Sequence, residues 1–87
     1  MSDYGKEQIA EFVKERNAAL SELDMTYLRR MMPEATSDHV RLIAAHKARY
    51  ECVGIDRNLR LESAKWLRSY GYEALNGALL PEGELPK

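Results

Sequence analysis

Apolar residues recur with a helical period along the first part of the chain. Their spacings of three, four and seven positions are those of one face of an α-helix. These residues are Ile9, Phe12, Val13 and Leu20. The other side of the same stretch is charged, with Glu7, Glu11, Lys14 and Glu15. The pattern predicts an amphipathic helix over about residues 4–21.

A second, shorter helix is predicted between Ser21 and Pro33. The sequence Ser21-Glu22-Leu23-Asp24 has the form of a capping box, in which a hydroxyl is followed three residues later by a carboxylate. The helix is expected to begin there and to end before Pro33, because the residue preceding a proline is disfavoured in the helical conformation. The methionines of this segment suit a core between helices or a contact surface, since methionine packs against irregular neighbours.

The strongest local signals describe two helices joined by the three-residue break Gly54-Ile55-Asp56. The groups that cap the first of these helices are Thr36, Ser37 and Asp38, and its apolar side carries Val40, Ile43, Ala44 and Tyr50. Gly54 is expected to end this helix in the left-handed conformation, with Ile55 as the apolar residue of a Schellman motif. Asp56 is expected to cap the next helix. So short a connection predicts an antiparallel αα-hairpin.

The fourth helix is predicted to end at Gly71-Tyr72 and to use Trp66 as a core anchor. Its apolar face carries Leu59, Ser63, Trp66, Leu67 and Tyr70. One further turn at residues 73–76 is expected to lead into an arm that Leu79 and Leu80 attach to the body or to a neighbour. The predicted fold is therefore all-α, a small four-helix protein built on a central antiparallel αα-hairpin. Residues 1–76 are expected to form a single helical domain and residues 77–87 an irregular C-terminal arm.

Size and charge narrow the class of protein. A chain of 87 residues allows one domain with a thin core, which favours a homo-oligomer, by default a dimer. Thirteen Lys and Arg residues against fourteen Asp and Glu residues give a net charge of −1. This balance argues against a protein whose whole surface binds nucleic acid, although a local basic stripe remains open. The chain carries no long apolar run, no apolar signal core and a single cysteine, Cys52, so we expect a cytoplasmic protein that makes no contact with a membrane.

No combination of residues indicates catalysis, a metal site or a cofactor. His39 and His46 are seven positions apart, or roughly 10.5 Å along a helix, which is too far for one metal ion to bind both. Cys52 lies six positions after His46 on the same helix and points in another direction, so the two cannot form a nucleophile and base pair. We therefore expect a protein that is not an enzyme and that has no cofactor.

The hairpin does combine cations with aromatic side chains. It carries Arg41, Lys47, Arg49, Arg57, Arg60, Lys65 and Arg68, together with Tyr50, Trp66 and Tyr70. Arginine suits phosphate groups and aromatic rings stack on bases, so the hairpin has the composition of a site for a small anionic or nucleotide ligand. The alternative is that the cations are solvated partners of nearby glutamates. The best candidates for contacts are His46, Arg49, Tyr50, Arg57 and Arg68, with Arg49 and Arg57 expected to converge on an anion near the start of the fourth helix.

Three features together resemble a group of small helical accessory proteins of bacteriophages and prophages. These features are the segment from His46 to Cys52, the helix break after it, and the later Trp66-Leu67 followed by Gly71-Tyr72. The resemblance covers about residues 24–72 and supplies no active site. It implies a short accessory protein in the cytoplasm of a bacterial host. It also implies one of two activities: sequestering a host signalling nucleotide, or blocking a host defence or division protein by binding it.

The sequence as a whole favours stoichiometric, non-covalent binding of a small anionic ligand or of a host protein. A DNA-binding regulator that uses the helix from Arg57 to Arg68 is the alternative, because Arg57, Asn58 and Arg60 lie near the start of that helix. Nucleic acid is the second choice because the net charge is close to zero.

Overall fold

The computed structural model describes residues 3–70 and 79–87, and all regular structure in these residues is helical. The helices are α1 (Asp3–Glu22), α2 (Met25–Met31), α3 (Asp38–Glu51) and α4 (Arg57–Ser69). Helices α3 and α4 pack closely on each other, while α1 and α2 pack against α3. The predicted all-α fold with a central hairpin is confirmed. The predicted stop at Gly71-Tyr72 and the turn at 73–76 lie outside the described residues.

Both helices of the hairpin begin at caps that the sequence predicts. The Ser37 hydroxyl accepts the Val40 N–H, and the Asp56 carboxylate accepts the Asn58 N–H. The early part of α3 meets the late part of α4, where the ring centroids of His39 and Tyr70 lie 5.2 Å apart. The two helices are therefore antiparallel.

The predicted capping box at the start of α2 is wrong. Ser21 and Glu22 belong to α1, and the cap of α2 is Asp24, whose carboxylate accepts the N–H groups of Thr26 and Tyr27. Leu23 adopts a left-handed conformation with φ of 52°. Its N–H and that of Asp24 bond to carbonyls of the last turn of α1, at 3.3 and 3.0 Å. The Schellman motif therefore ends α1 and is formed at a leucine.

The predicted Schellman motif at Gly54 is also wrong, because Gly54 has no positive φ. The residue lies in a turn in which the Ile55 N–H bonds to the Cys52 carbonyl at 3.2 Å. A Cβ atom at Gly54 would lie 2.8 Å from Nδ2 of Asn17 on α1. The glycine thus serves the close approach of α1 to the hairpin turn.

Buried apolar side chains form two clusters on different sides of α3. The first cluster joins α1, α2, α3 and the hairpin turn and consists of Ala19, Leu20, Tyr27, Leu28, Ala45 and Ile55. The second joins the hairpin to the C-terminal residues and consists of Tyr50, Ala64, Leu67 and Leu79. Trp66 packs against the second cluster but stays half-buried, so its predicted role as a core anchor holds only in part.

The N-terminal half of α1 leaves its apolar face uncovered. Ile9 is 65% exposed and Phe12 is 50% exposed, whereas Ala19 and Leu20 further along the helix are buried. The amphipathic pattern of α1 therefore extends beyond the part of this helix that packs against α2 and α3. Among the described residues, no helix is both long and apolar enough to cross a membrane.

Candidate functional site

The last nine residues, 79–87, lie against the hairpin and are called the arm below. The arm has no helix or strand. Leu79 is buried in the second cluster, and Leu85 packs against the same cluster. The side chains that hold the arm come from the C-terminal end of α3 and from α4.

Hairpin side chains bind the arm mainly through its backbone. Arg57 donates from Nη2 to the Gly83 carbonyl at 2.9 Å, and Arg60 donates from Nη2 to the Pro86 carbonyl at 2.6 Å. Arg68 donates to the Leu80 carbonyl, and the Leu80 N–H donates to the Tyr50 hydroxyl at 2.9 Å. Three guanidinium groups and one phenol thus contact four backbone groups of an irregular segment.

A turn at residues 81–84 shapes the arm. The Glu84 N–H donates to the Pro81 carbonyl at 3.0 Å, and Gly83 has φ of +88°. No heavy atom lies within 4 Å of where a Cβ of Gly83 would be placed, so only the backbone conformation requires glycine there.

Replacing Gly83 with alanine should weaken the docking of the arm by about 1 to 2 kcal/mol, because an L side chain is strained at this φ. Hydrogen exchange of the Leu80 amide should become faster by the corresponding factor. The Gly5→Ala variant is the matched control, since Gly5 lies in α1 with no nearby atoms and ordinary φ. It should be neutral or mildly stabilising. Equal exchange rates in Gly83→Ala and wild type would contradict this account of the turn.

His46 and Arg49 form a separate buried polar cluster around Ser63. His46 is 5% exposed, and its Nδ1 lies 2.9 Å from the Ser63 hydroxyl, which also accepts from Arg49 Nη1 at 3.3 Å. The His46 ring stacks on Trp66 with centroids 4.1 Å apart, and Trp66 in turn stacks on Tyr70. Burial lowers the pKa of His46 to about 4, with a further lowering from the Arg49 charge and an opposing effect of Glu62. His46 is therefore uncharged at neutral pH.

Arg49 is a buried cation that has no ion pair with any carboxylate of the described residues. It is 5% exposed. Its Nη2 donates to the Ser21 carbonyl at 2.8 Å, while Nε has no hydrogen-bond partner within residues 3–70 and 79–87. Burial lowers its pKa, and the charge of Glu62 opposes this effect. Because Ser21 lies in the last turn of α1, the guanidinium group stabilises the C-terminal end of that helix.

The five residues predicted as contacts therefore divide into two groups. Tyr50, Arg57 and Arg68 hold the arm, whereas His46 and Arg49 share Ser63. Arg49 and Arg57 have no hydrogen-bond partner in common, so the structure does not bring them together on one group in the way the sequence suggested.

Sequence reasoning missed Arg60 as a site residue. The Arg60 guanidinium is buried and bridges the hairpin and the arm, since Nε donates to the Tyr50 carbonyl at 3.1 Å while Nη2 holds Pro86. The sequence does contain a signal for this role, because Arg60 follows Arg57 by three residues and therefore lies on the same side of the helix.

A second surface, the α1 groove, runs between α1 and the C-terminal end of α3. Its volume is about 400 Å³. It is lined by Val13, Arg16, Asn17, Leu20, Ala48, Glu51, Cys52, Val53 and Gly54. Cys52 Sγ donates to Asn17 Oδ1 at 3.3 Å, and Arg16 donates to Cys52 Sγ at 3.5 Å, so the polar groups at its floor are engaged. Exposed Ile9 and Phe12 continue the apolar row of the groove by about one helical turn.

The described residues define a small all-α hairpin protein with an arm-covered arginine face and an open apolar groove. Comparisons of the chain with protein-family models, with curated proteins and with solved structures gave no match.

Proposed function

We propose that the protein acts by stoichiometric, non-covalent binding of another protein, which it masks through the α1 groove and the exposed side chains beside it. The observation that carries this proposal is the uncovered apolar row of α1, where Ile9 and Phe12 lie in solvent next to the half-buried groove residue Val13. Contiguous apolar surface of this kind marks interaction sites on soluble domains. An amphipathic helix of a partner is the element that fits such a groove.

One edge of this surface favours a basic partner. Glu7, Glu11 and Glu15, on the charged side of α1, adjoin Phe12 around a shallow depression. The α1 groove itself is lined by one acid, Glu51, and one base, Arg16. A partner helix with Lys or Arg beside its apolar stripe would meet opposite charges at the Phe12 edge. Such complementarity raises the rate and the specificity of association more than its final strength.

Two other functions suggested by the sequence have less geometric support. A small anionic ligand would have to reach His46 and Arg49, which are buried. DNA would have to displace the arm from Arg57 and Arg68. Both functions stay predictions, as does the absence of enzymatic activity.

The resemblance to phage and prophage accessory proteins fits a masking protein. In this proposal the partner is a host protein, for example one of a defence system, and binding takes place in the cytoplasm of the bacterial cell. Homo-oligomerisation also stays a prediction, and the crosslinking experiment below bears on it.

The test places a photo-crosslinking amino acid at Phe12 and, as control, at Lys14, which is exposed on the same helix but outside the apolar row. We expect the Phe12 position to capture one host protein in cells and the Lys14 position to capture none. The captured protein is then purified and titrated calorimetrically. Phe12→Ser should weaken its binding by about tenfold or more, as for a central apolar contact, while Lys14→Ser should leave it unchanged.

Two results would overturn the proposal. If the Phe12 position crosslinks only to a second copy of the chain, the α1 surface is a homo-oligomer interface. If Phe12→Ser and Lys14→Ser bind the purified partner equally well, the apolar row is not the binding surface.

A further inference from the structure

We propose that the groove filled by the arm is a binding site for extended segments of other proteins, with the arm as its intramolecular occupant. This site, called the arm groove, lies on α4 and the end of α3. The arm groove is separate from the α1 groove, and this inference does not depend on the function proposed for the α1 groove. The partner we infer is an acidic, irregular segment with leucines at the positions of Leu79 and Leu85.

The first step is that hairpin side chains contact the arm through groups every peptide carries. Arg57, Arg60 and Arg68 donate to carbonyls of the arm, and Tyr50 accepts one of its N–H groups. Bonds to backbone groups supply affinity without requiring a particular sequence, as in other modes of peptide recognition. A segment from another protein can therefore form the same bonds.

The second step is that apolar contacts would select among such segments. Leu79 is buried against Tyr50, Ala64 and Leu67, and Leu85 is half-buried against the same cluster. The turn containing Gly83 lies between the two leucines. Selectivity thus depends on two leucines six positions apart and on a turn between them.

The third step concerns the charge of the groove. Arg57 and Arg60 donate to neutral carbonyls, and no ion pair among the described residues includes either of them. Glu82 and Glu84 of the arm are exposed. A partner whose carboxylates reach these guanidinium groups would add the attraction between opposite charges, and a carboxylate can accept two parallel hydrogen bonds from one arginine, which a single carbonyl does not. A cavity of about 450 Å³ between α4 and the arm, lined in part by Asn58, Lys65 and Gly83, provides space for larger side chains.

The arm would compete with such a partner because it is tethered. Only residues 70–78 separate it from α4, and so short a tether gives an effective concentration of about millimolar. A free peptide at micromolar concentration should therefore bind the wild-type groove weakly, and it should bind better once the arm is released.

The test uses a fluorescent peptide with the sequence of residues 79–87 and the full-length protein. Leu79→Asp releases the intramolecular arm by placing a charge in the second cluster. We expect this variant to bind the peptide at least tenfold more tightly than wild type does, by fluorescence anisotropy. In the Leu79→Asp background, adding Arg57→Gln should weaken binding at least threefold, while adding Arg30→Gln, which also removes an exposed arginine, should not.

A second measurement covers the case in which Leu79→Asp does not fold, as judged by its circular dichroism. In the wild-type protein, a large excess of unlabelled peptide should accelerate hydrogen exchange of the protein's own Leu80 amide, because the arm leaves Tyr50. A peptide of the same composition with both leucines moved should have no such effect.

Three outcomes would overturn the inference. One is that the peptide binds no folded variant and leaves the Leu80 exchange rate unchanged. Another is that the rearranged peptide binds equally well. The third is that Leu79→Asp gains affinity for duplex DNA and gains none for the peptide. If that DNA affinity falls steeply as the salt concentration rises, the arm covers a site for polyanions instead.

Discussion

Replacing Leu67 with alanine should lower the free energy of unfolding by about 3 to 5 kcal/mol. Leu67 is 0% exposed and lies in the second cluster with Tyr50, Ala64 and Leu79. Its side chain lies in a cluster shared by α3, α4 and the arm, so truncation leaves a cavity where three parts of the fold meet. Since single domains are typically stable by about 5 to 15 kcal/mol, this loss is a large share of the total.

Denaturant unfolding followed by circular dichroism measures this loss. Leu61→Ala is the matched control, because Leu61 lies on the same helix and is half-buried beside the arm groove. It should cost about 1 kcal/mol or less. Similar losses in the two variants would mean that the second cluster is not part of the core. The comparison of the two losses holds where the denaturant slope is the same in both variants and in wild type.

The hairpin could be predicted because its signals are local. Ser37 and Asp56 each cap a helix through a side chain two or three residues away from the N–H group that it accepts, and such spacings are visible in any sequence. The apolar period of α4 agreed with those caps. Agreement between independent local signals is what allowed the fold to be predicted correctly.

The errors arose where distant parts of the chain decide the structure. Gly54 was assigned a left-handed conformation because glycine is common at helix ends, but its small size instead serves contact with Asn17, which is 37 residues away. Leu23 adopts the left-handed conformation although leucine is unfavourable there. Leu20 and Leu28, on either side of Leu23 in the chain, are buried in one cluster, and Leu23 packs against that cluster. This packing offsets the cost of the left-handed conformation, and a local sequence pattern does not show it.

The candidate site was predictable in composition but not in arrangement. Arginine spacing on α4 identified a cationic face, yet the groups that Arg57 and Arg68 bind are backbone carbonyls 26 and 12 residues further along the chain. Every residue carries a carbonyl, so no side-chain motif marks these partners. The same holds for Arg49, whose hydrogen bond to the Ser21 carbonyl, 28 residues before it, is shorter than its bond to Ser63.

Acidification should destabilise the protein through His46 before most carboxylates are protonated. The pKa of His46 is about 4 in the folded protein, against an ordinary value of 6.5, because burial excludes the charged ring and Arg49 repels it. The unfolded chain therefore binds a proton between these two pH values and the folded chain does not. Stability from His46 is fully present above about pH 6.5 and falls as the pH drops towards 4, by about 3 kcal/mol in total.

The measurement is the free energy of unfolding by urea at intervals between pH 7 and pH 4. His46→Gln is the informative variant, because an amide retains a hydrogen bond to Ser63 and does not titrate in this range. It should be less stable than wild type at pH 7, since the stack on Trp66 is lost, but its stability should change less between pH 6.5 and pH 4. Parallel pH profiles for wild type and His46→Gln would show that the buried ring accepts a proton without cost, and the polar cluster around Ser63 would then be open to solvent.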